Sequence, residues 1–180
     1  MFYCFIEVER GMQKPCSKYH NVLITFNAKL IMRKTVFSED DNAKLILRLS
    51  NLQKGSVCAW GSMSVAGMLY HCNFTNKVIL KAPPSLRKRT LKQRVLKFLV
   101  MDIKKEIPRG VKGNPKFFSQ ETDILNFEDQ KAQWLDIIPK FTNVQGPLEG
   151  EHPIFGKLNT KEWGRFVWLH MDHHLRQFGV

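Results

Sequence analysis

The sequence has no run of eighteen apolar residues, no cysteine pair at CxxC spacing and no HExxH string. The first absence excludes a transmembrane helix, which needs about 20 predominantly apolar residues. The second leaves Cys4, Cys16, Cys58 and Cys72 scattered. Reduced thiols in a cytoplasmic protein are therefore expected, not a disulfide framework. The third removes one metallohydrolase motif; a Gly-rich phosphate loop and a Ser-His-Asp arrangement do not stand out either. The apolar start, Met1 to Ile6, runs at once into Glu7 and Glu9 with no basic region before it. It reads as a poor signal peptide.

Acidic residues are also scarce, with 16 Asp and Glu against 28 Lys and Arg and a net charge of +12. The excess is concentrated. From Lys77 to Lys116 there are thirteen Lys or Arg against Asp102 and Glu106. Such a segment attracts nucleic acid or an anionic membrane. The blander reading is a solvated helix face plus a basic loop. It is favoured because few aromatics interleave the charges for base stacking.

What is present is helical periodicity. At 180 residues one domain is expected. Residues 1–31 lack that periodicity and contain Gly11 and Pro15. They are read as an upstream extension, loosely ordered at best, with the natural start at Met32 and the domain over 32–180. Ser38 with Asp41 resembles a capping box and opens a first helix over about Glu39 to Leu52. Ser62 or Ser64 caps a second helix that ends near Pro83-Pro84. Leu86 to Glu106 is a basic amphipathic segment, expected to be helical, with Leu91, Val95, Leu96, Leu99 and Ile103 on one side. Asn126 caps a third bundle helix, and Pro139 is expected to kink or fray its last turn. The stretch 143–156 reads as a loop. Asn159 with Glu162, and Leu158 with Trp163, give a capping box and a hydrophobic staple for a last helix that Gly179 ends. No strand pattern competes after residue 32. The fold class is all-α, a four-helix bundle with a long basic connection between helices two and three.

Three of the six histidines lie in the last helix, at His170, His173 and His174. His170 and His174 are four apart and share one helical face with Trp163 and Phe166. Imidazoles in an apolar stripe need partners, and a metal satisfies two at once. A third ligand is expected from a facing helix, and His71 is the other histidine on a core-facing helix. Three neutral imidazoles leave positions open, as at a catalytic metal. The competing reading makes each histidine a hydrogen-bonded core or surface residue, since HxxxH without a Glu between is a weak pattern. His173 lies about 100° round the helix and is expected outside the ligand set. His152, in the loop before the last helix, either lines the pocket or shapes the turn. Cys72 is expected to be a packed thiol.

The string Trp60 to Cys72 resembles the helix-two signature of DinB-like (YfiT-like) bundle proteins. His152 to Gly156, Glu162 to Gly164 and His170 to Gln177 resemble the C-terminal signature of an uncharacterised branch of that superfamily. The resemblance covers about residues 32–179. It implies a four-helix bundle with one divalent metal held by His71, His170 and His174, and Gln177 matches the Gln that follows the pair. Zn, Ni and Fe all suit imidazole ligation. Relatives use the metal for thiol-dependent transfer or isomerisation, or are described as metal-dependent hydrolases. The expected activity is therefore a hydrolase or a transferase using a low-molecular-weight thiol, on an unidentified small molecule. Gln177 would orient a ligand or bound water, and His152 would carry protons. A homodimer is compatible with a bundle of this size. The alternative is a non-catalytic, metal-stabilised bundle whose basic 77–116 segment binds an acidic partner, nucleic acid or a membrane surface.

Overall fold

The computed structural model describes residues 33–111 and 126–180. The chain divides between Arg33 and Lys34, and the unit described below is Lys34–Val180. The expected extension over 1–31 and its boundary at Met32 lie outside the described residues.

Each main helix begins where a short polar side chain satisfies its first free amides. Helix α1, Glu39–Ser50, starts at Ser38, whose side chain accepts from the Asp41 N–H. Asp41 does not complete the box. Its carboxylate accepts from the Thr35 N–H at 3.1 Å and so fixes the entering chain. Helix α2, Val65–Lys81, is capped by Ser64 and not by Ser62. Helix α4, Phe127–Thr142, is capped by Asn126 and runs through Pro139 to its end. The Pro139 carbonyl accepts from the Thr142 hydroxyl and the Asn143 amide, closing the last turn. Helix α5, Thr160–Gln177, has the full reciprocal box between Asn159 and Glu162. Leu158 and Trp163, the expected staple pair, are both buried.

Helices α1 and α2 each pack against both α4 and α5, so the four close a ring around one core. The fold is all-α. Trp134, Leu45, Leu49, Met68, Leu69, Ile138, Phe141 and Met171 fill its centre. Arg48 of α1 binds Asp172 of α5 at 2.6 Å and the Val180 carbonyl at 2.8 Å, which ties the chain end to the bundle. No helix among the described residues is long and apolar enough to cross a membrane.

The basic connection departs from a continuous amphipathic helix. Residues 82–90 form no helix, and α3 spans only Leu91–Lys97, capped by the Thr90–Gln93 box. A π-helical stretch, Phe98–Lys104, follows and stops at Lys105, whose φ is +57°. The buried side chains here are Val100 and Met101, while Leu91, Val95, Leu99 and Ile103 of the expected stripe are exposed and Leu96 is partly buried against the core. The region 143–156 is not wholly loop either. Strands β1, Glu151–His152, and β2, Gly156–Lys157, pair antiparallel as a small hairpin. Two-residue strands are too short to leave an alternating pattern in sequence.

Candidate metal centre

Helix α2 carries His71 to the bundle interior, and α5 brings His170 and His174 to the same point, one turn apart. All three are buried, and their ligand nitrogens lie within 4.8 Å of one another. The rings form a triangle with centroid separations of 4.7 to 5.0 Å, each pair edge-to-face. His71 Nε2 and His170 Nε2 are 3.0 Å apart. Imidazoles on one ion, at roughly 2.0–2.1 Å each, place their nitrogens about 3.3 Å apart in tetrahedral geometry. The closest pair is already near that value. His170 Nδ1 is buried with no hydrogen-bond partner among the described residues. One nitrogen of His170 thus faces another imidazole and the second faces nothing polar, an arrangement that costs on the order of 1–3 kcal/mol without further compensation.

Burial keeps the two α5 rings neutral. It pushes His170 well below the usual imidazole range, with His174 and His71 adding to the effect. His174 is pushed down to about 3, again by burial first and by His71 second; its bond to Gln177 acts the other way. A neutral imidazole is the form that ligates metal. The residues present therefore fit an ion: three buried imidazole nitrogens converge, and no carboxylate belongs to the group.

Gln177 sits one turn beyond His174 and fixes it. Its Nε2 donates to the Trp60 carbonyl at 2.8 Å, which leaves Oε1 to face His174 Nδ1 at 2.9 Å. An amide oxygen only accepts, so His174 Nδ1 carries the proton and Nε2 is left with its lone pair. The same loop is held from the other side, where the Ala59 N–H donates to the Gln177 carbonyl at 2.8 Å. Gly61, at φ +80°, lies so close that a Cβ there would come 2.9 Å from Gln177 Nε2.

His152 stands apart from the trio. Its Nδ1 accepts from the Ile154 and Phe155 N–H groups at 3.1 and 3.2 Å, which closes the hairpin turn. Burial pushes it down to about 4. Its ring meets Phe166 edge-on at 4.4 Å, and Phe166 in turn stacks on His170 at 5.6 Å. His173 is half-buried outside the trio, with Nδ1 3.0 Å from the Ile107 carbonyl. Cys72 is fully buried with Sγ 3.9 Å from Met68 Sδ, and burial pushes its thiol far up.

The three-histidine centre and the helices that carry it fall within one stretch of chain, and a family model spans that stretch. The family of proteins of unknown function DUF1569 matches residues 32–179. The chain belongs to this family. No curated protein and no solved structure matches it.

In this DUF1569 domain, sequence spacing brought out all three histidines that the fold brings together. It did not bring out the loop that supports them. Trp60 acts through a backbone carbonyl, which carries no residue-specific signal. Gly61, followed by capping Ser64, was the available hint of a tight turn held against another element. Phe166 was placed on the histidine stripe, but its position between His152 and His170 depends on the hairpin.

Proposed function

We propose that this DUF1569 chain is a DinB-like protein that holds one divalent metal ion through His71, His170 and His174. In this reading it acts as a cytoplasmic hydrolase or thiol-dependent transferase on a small molecule. The observation that carries it is the convergence of three buried imidazoles, one each from two turns of α5 and one from α2. A bound divalent ion supplies Lewis acidity, lowering the pKa of a water or thiol that it binds.

The chain's own residues do the rest. His174 offers Nε2 because Gln177 holds its Nδ1 proton. Gln177 is held in turn by Trp60, so the ring is oriented before any ligand arrives. A divalent ion held by three histidines and no carboxylate would keep its full positive charge, so an anionic ligand such as a thiolate or carboxylate would be its electrostatic complement. His152 keeps its neutral form down to about pH 4 and is separated from His170 by the Phe166 ring. Proton transfer through His152 would need its Nε2, since Nδ1 is used in the turn.

Elemental analysis of untagged protein tests the site. About one Zn, Ni or Fe per chain is expected, and His170→Ala should lose it. Adding the same metal at about 100 times its Kd should stabilise the wild type by roughly 2.7 kcal/mol. Metal-free wild type whose metal affinity is unchanged by His170→Ala would reject the site.

A further inference from the structure

We propose that the segment from Leu86 to Lys105 docks this protein onto an anionic lipid bilayer surface. The segment exposes six large apolar side chains: Leu86 at 97%, Leu91 at 76%, Ile103 at 59%, and Val95, Phe98 and Leu99 at about half. At 3.6 residues per turn Leu91, Val95 and Phe98 fall on one line. Lys92 lies on one flank of that line and Arg94 on the other.

The cations of the segment divide into two sets, apart from the exposed Arg87, which lies 3.5 Å from Glu151. Arg89 is structural, bonded to both Glu162 oxygens and to the Lys157 carbonyl. Lys97 is structural too, 3.1 Å from both Asp102 and Glu162. Lys88, Lys92, Arg94, Lys104 and Lys105 pair with no carboxylate among the described residues. The inward side therefore anchors the segment on the start of α5. Arg165 Nε adds a buried bond to the Met101 carbonyl at 2.7 Å. The outward side combines unused positive charge with uncovered apolar surface.

That combination selects the partner. Nucleic acid would satisfy the cations, but it gives the aliphatic side chains nothing, and Phe98 is the lone aromatic for stacking. A second copy would cover the apolar stripe but would set two cationic faces against each other. A bilayer interface takes both features. The apolar side chains enter the acyl boundary while Lys and Arg remain at anionic headgroups. The α3 turn is already capped and anchored, so binding does not have to order it first.

Co-sedimentation of the full chain with vesicles tests this. Binding is expected with phosphatidylglycerol in phosphatidylcholine, and not with phosphatidylcholine alone. The variant Lys88→Gln/Lys92→Gln/Arg94→Gln should weaken it on the order of a hundredfold. Leu91→Ser/Val95→Ser/Phe98→Ser should abolish it. These positions are exposed, so circular dichroism should be unchanged; Phe98→Ser alone serves if the triple variant misfolds. Failure of the wild type to bind the anionic vesicles, or binding that the apolar variant leaves intact, overturns the proposal. So does salt-sensitive binding to duplex RNA in place of vesicles, or self-association through this face in sedimentation velocity.

Discussion

At the scale of single residues, position along α5 sorts the histidines into different tasks. His170 and His174 face α2, His173 meets the Ile107 carbonyl, and Gln177 stands behind His174. The i,i+4 relation is fixed by helix geometry, so the inward pair was legible before any tertiary contact was known. The role of Gln177 was not. Its amide is engaged by His174 and by Trp60, and the Trp60 partner is a main-chain oxygen from 117 residues earlier. Gln177→Leu should leave the His174 Nδ1 proton and the Trp60 carbonyl without this partner. Metal affinity is expected to fall about 10–100-fold, with stability lower by roughly 1–3 kcal/mol. Competition titration with a chromogenic chelator reads the first and urea denaturation the second. Unchanged affinity would mean that the His174 tautomer is set by something else.

At the scale of elements, the caps were local and readable, whereas the packing of each element was not. Ser38, Ser64, Asn126 and Asn159 all start helices where their side chains accept from the first turn. Gly164 shows the other kind of information. It lies in the first turns of α5, and a Cβ there would come 2.3 to 2.5 Å from the Phe37 ring and the Thr35 hydroxyl. Its carbonyl also accepts from the Val36 N–H at 3.1 Å. The glycine is therefore needed for close approach of the segment before α1, although alanine favours helix. Gly164→Ala is expected to cost about 1–3 kcal/mol through overpacking, while metal stoichiometry stays at the wild-type value. Thermal denaturation and metal analysis of the same sample check both parts. The apolar spacing of the basic connection predicts a stripe on one side, and with Glu162 holding Arg89 and Lys97 on the inner side, Leu91, Val95, Leu99 and Ile103 of that stripe are exposed while Leu96 packs against the core.

At the scale of the whole molecule, the buried imidazoles of His170 and His174 make stability depend on pH. For His174 the folded value of about 3 lies below the ordinary 6.5. The unfolded chain thus binds more protons between those values, and stability rises with pH across that window. Its contribution is present above pH 6.5 and is lost as pH falls towards 3. Metal-free protein should lose about 2 kcal/mol between pH 7 and pH 5 from this residue alone. Burial also depresses His170, so the measured loss should be larger. Urea unfolding at the two pH values checks this, and a flat profile would show that the histidines are not buried neutral.

The sequence by itself determined the four bundle helices and the three histidines. Those depend on local hydrogen bonding and on a 3.6-residue period, which neighbouring residues are enough to specify. Tertiary structure alone decided that His71 meets His170 at 3.0 Å, that a backbone carbonyl locks His174 through Gln177, and that the basic segment shows its apolar side to solvent. Each of these joins groups far apart in the chain, or uses main-chain atoms that every residue shares; the sequence pointed to His71 as a partner of His170 but carried no trace of the other two.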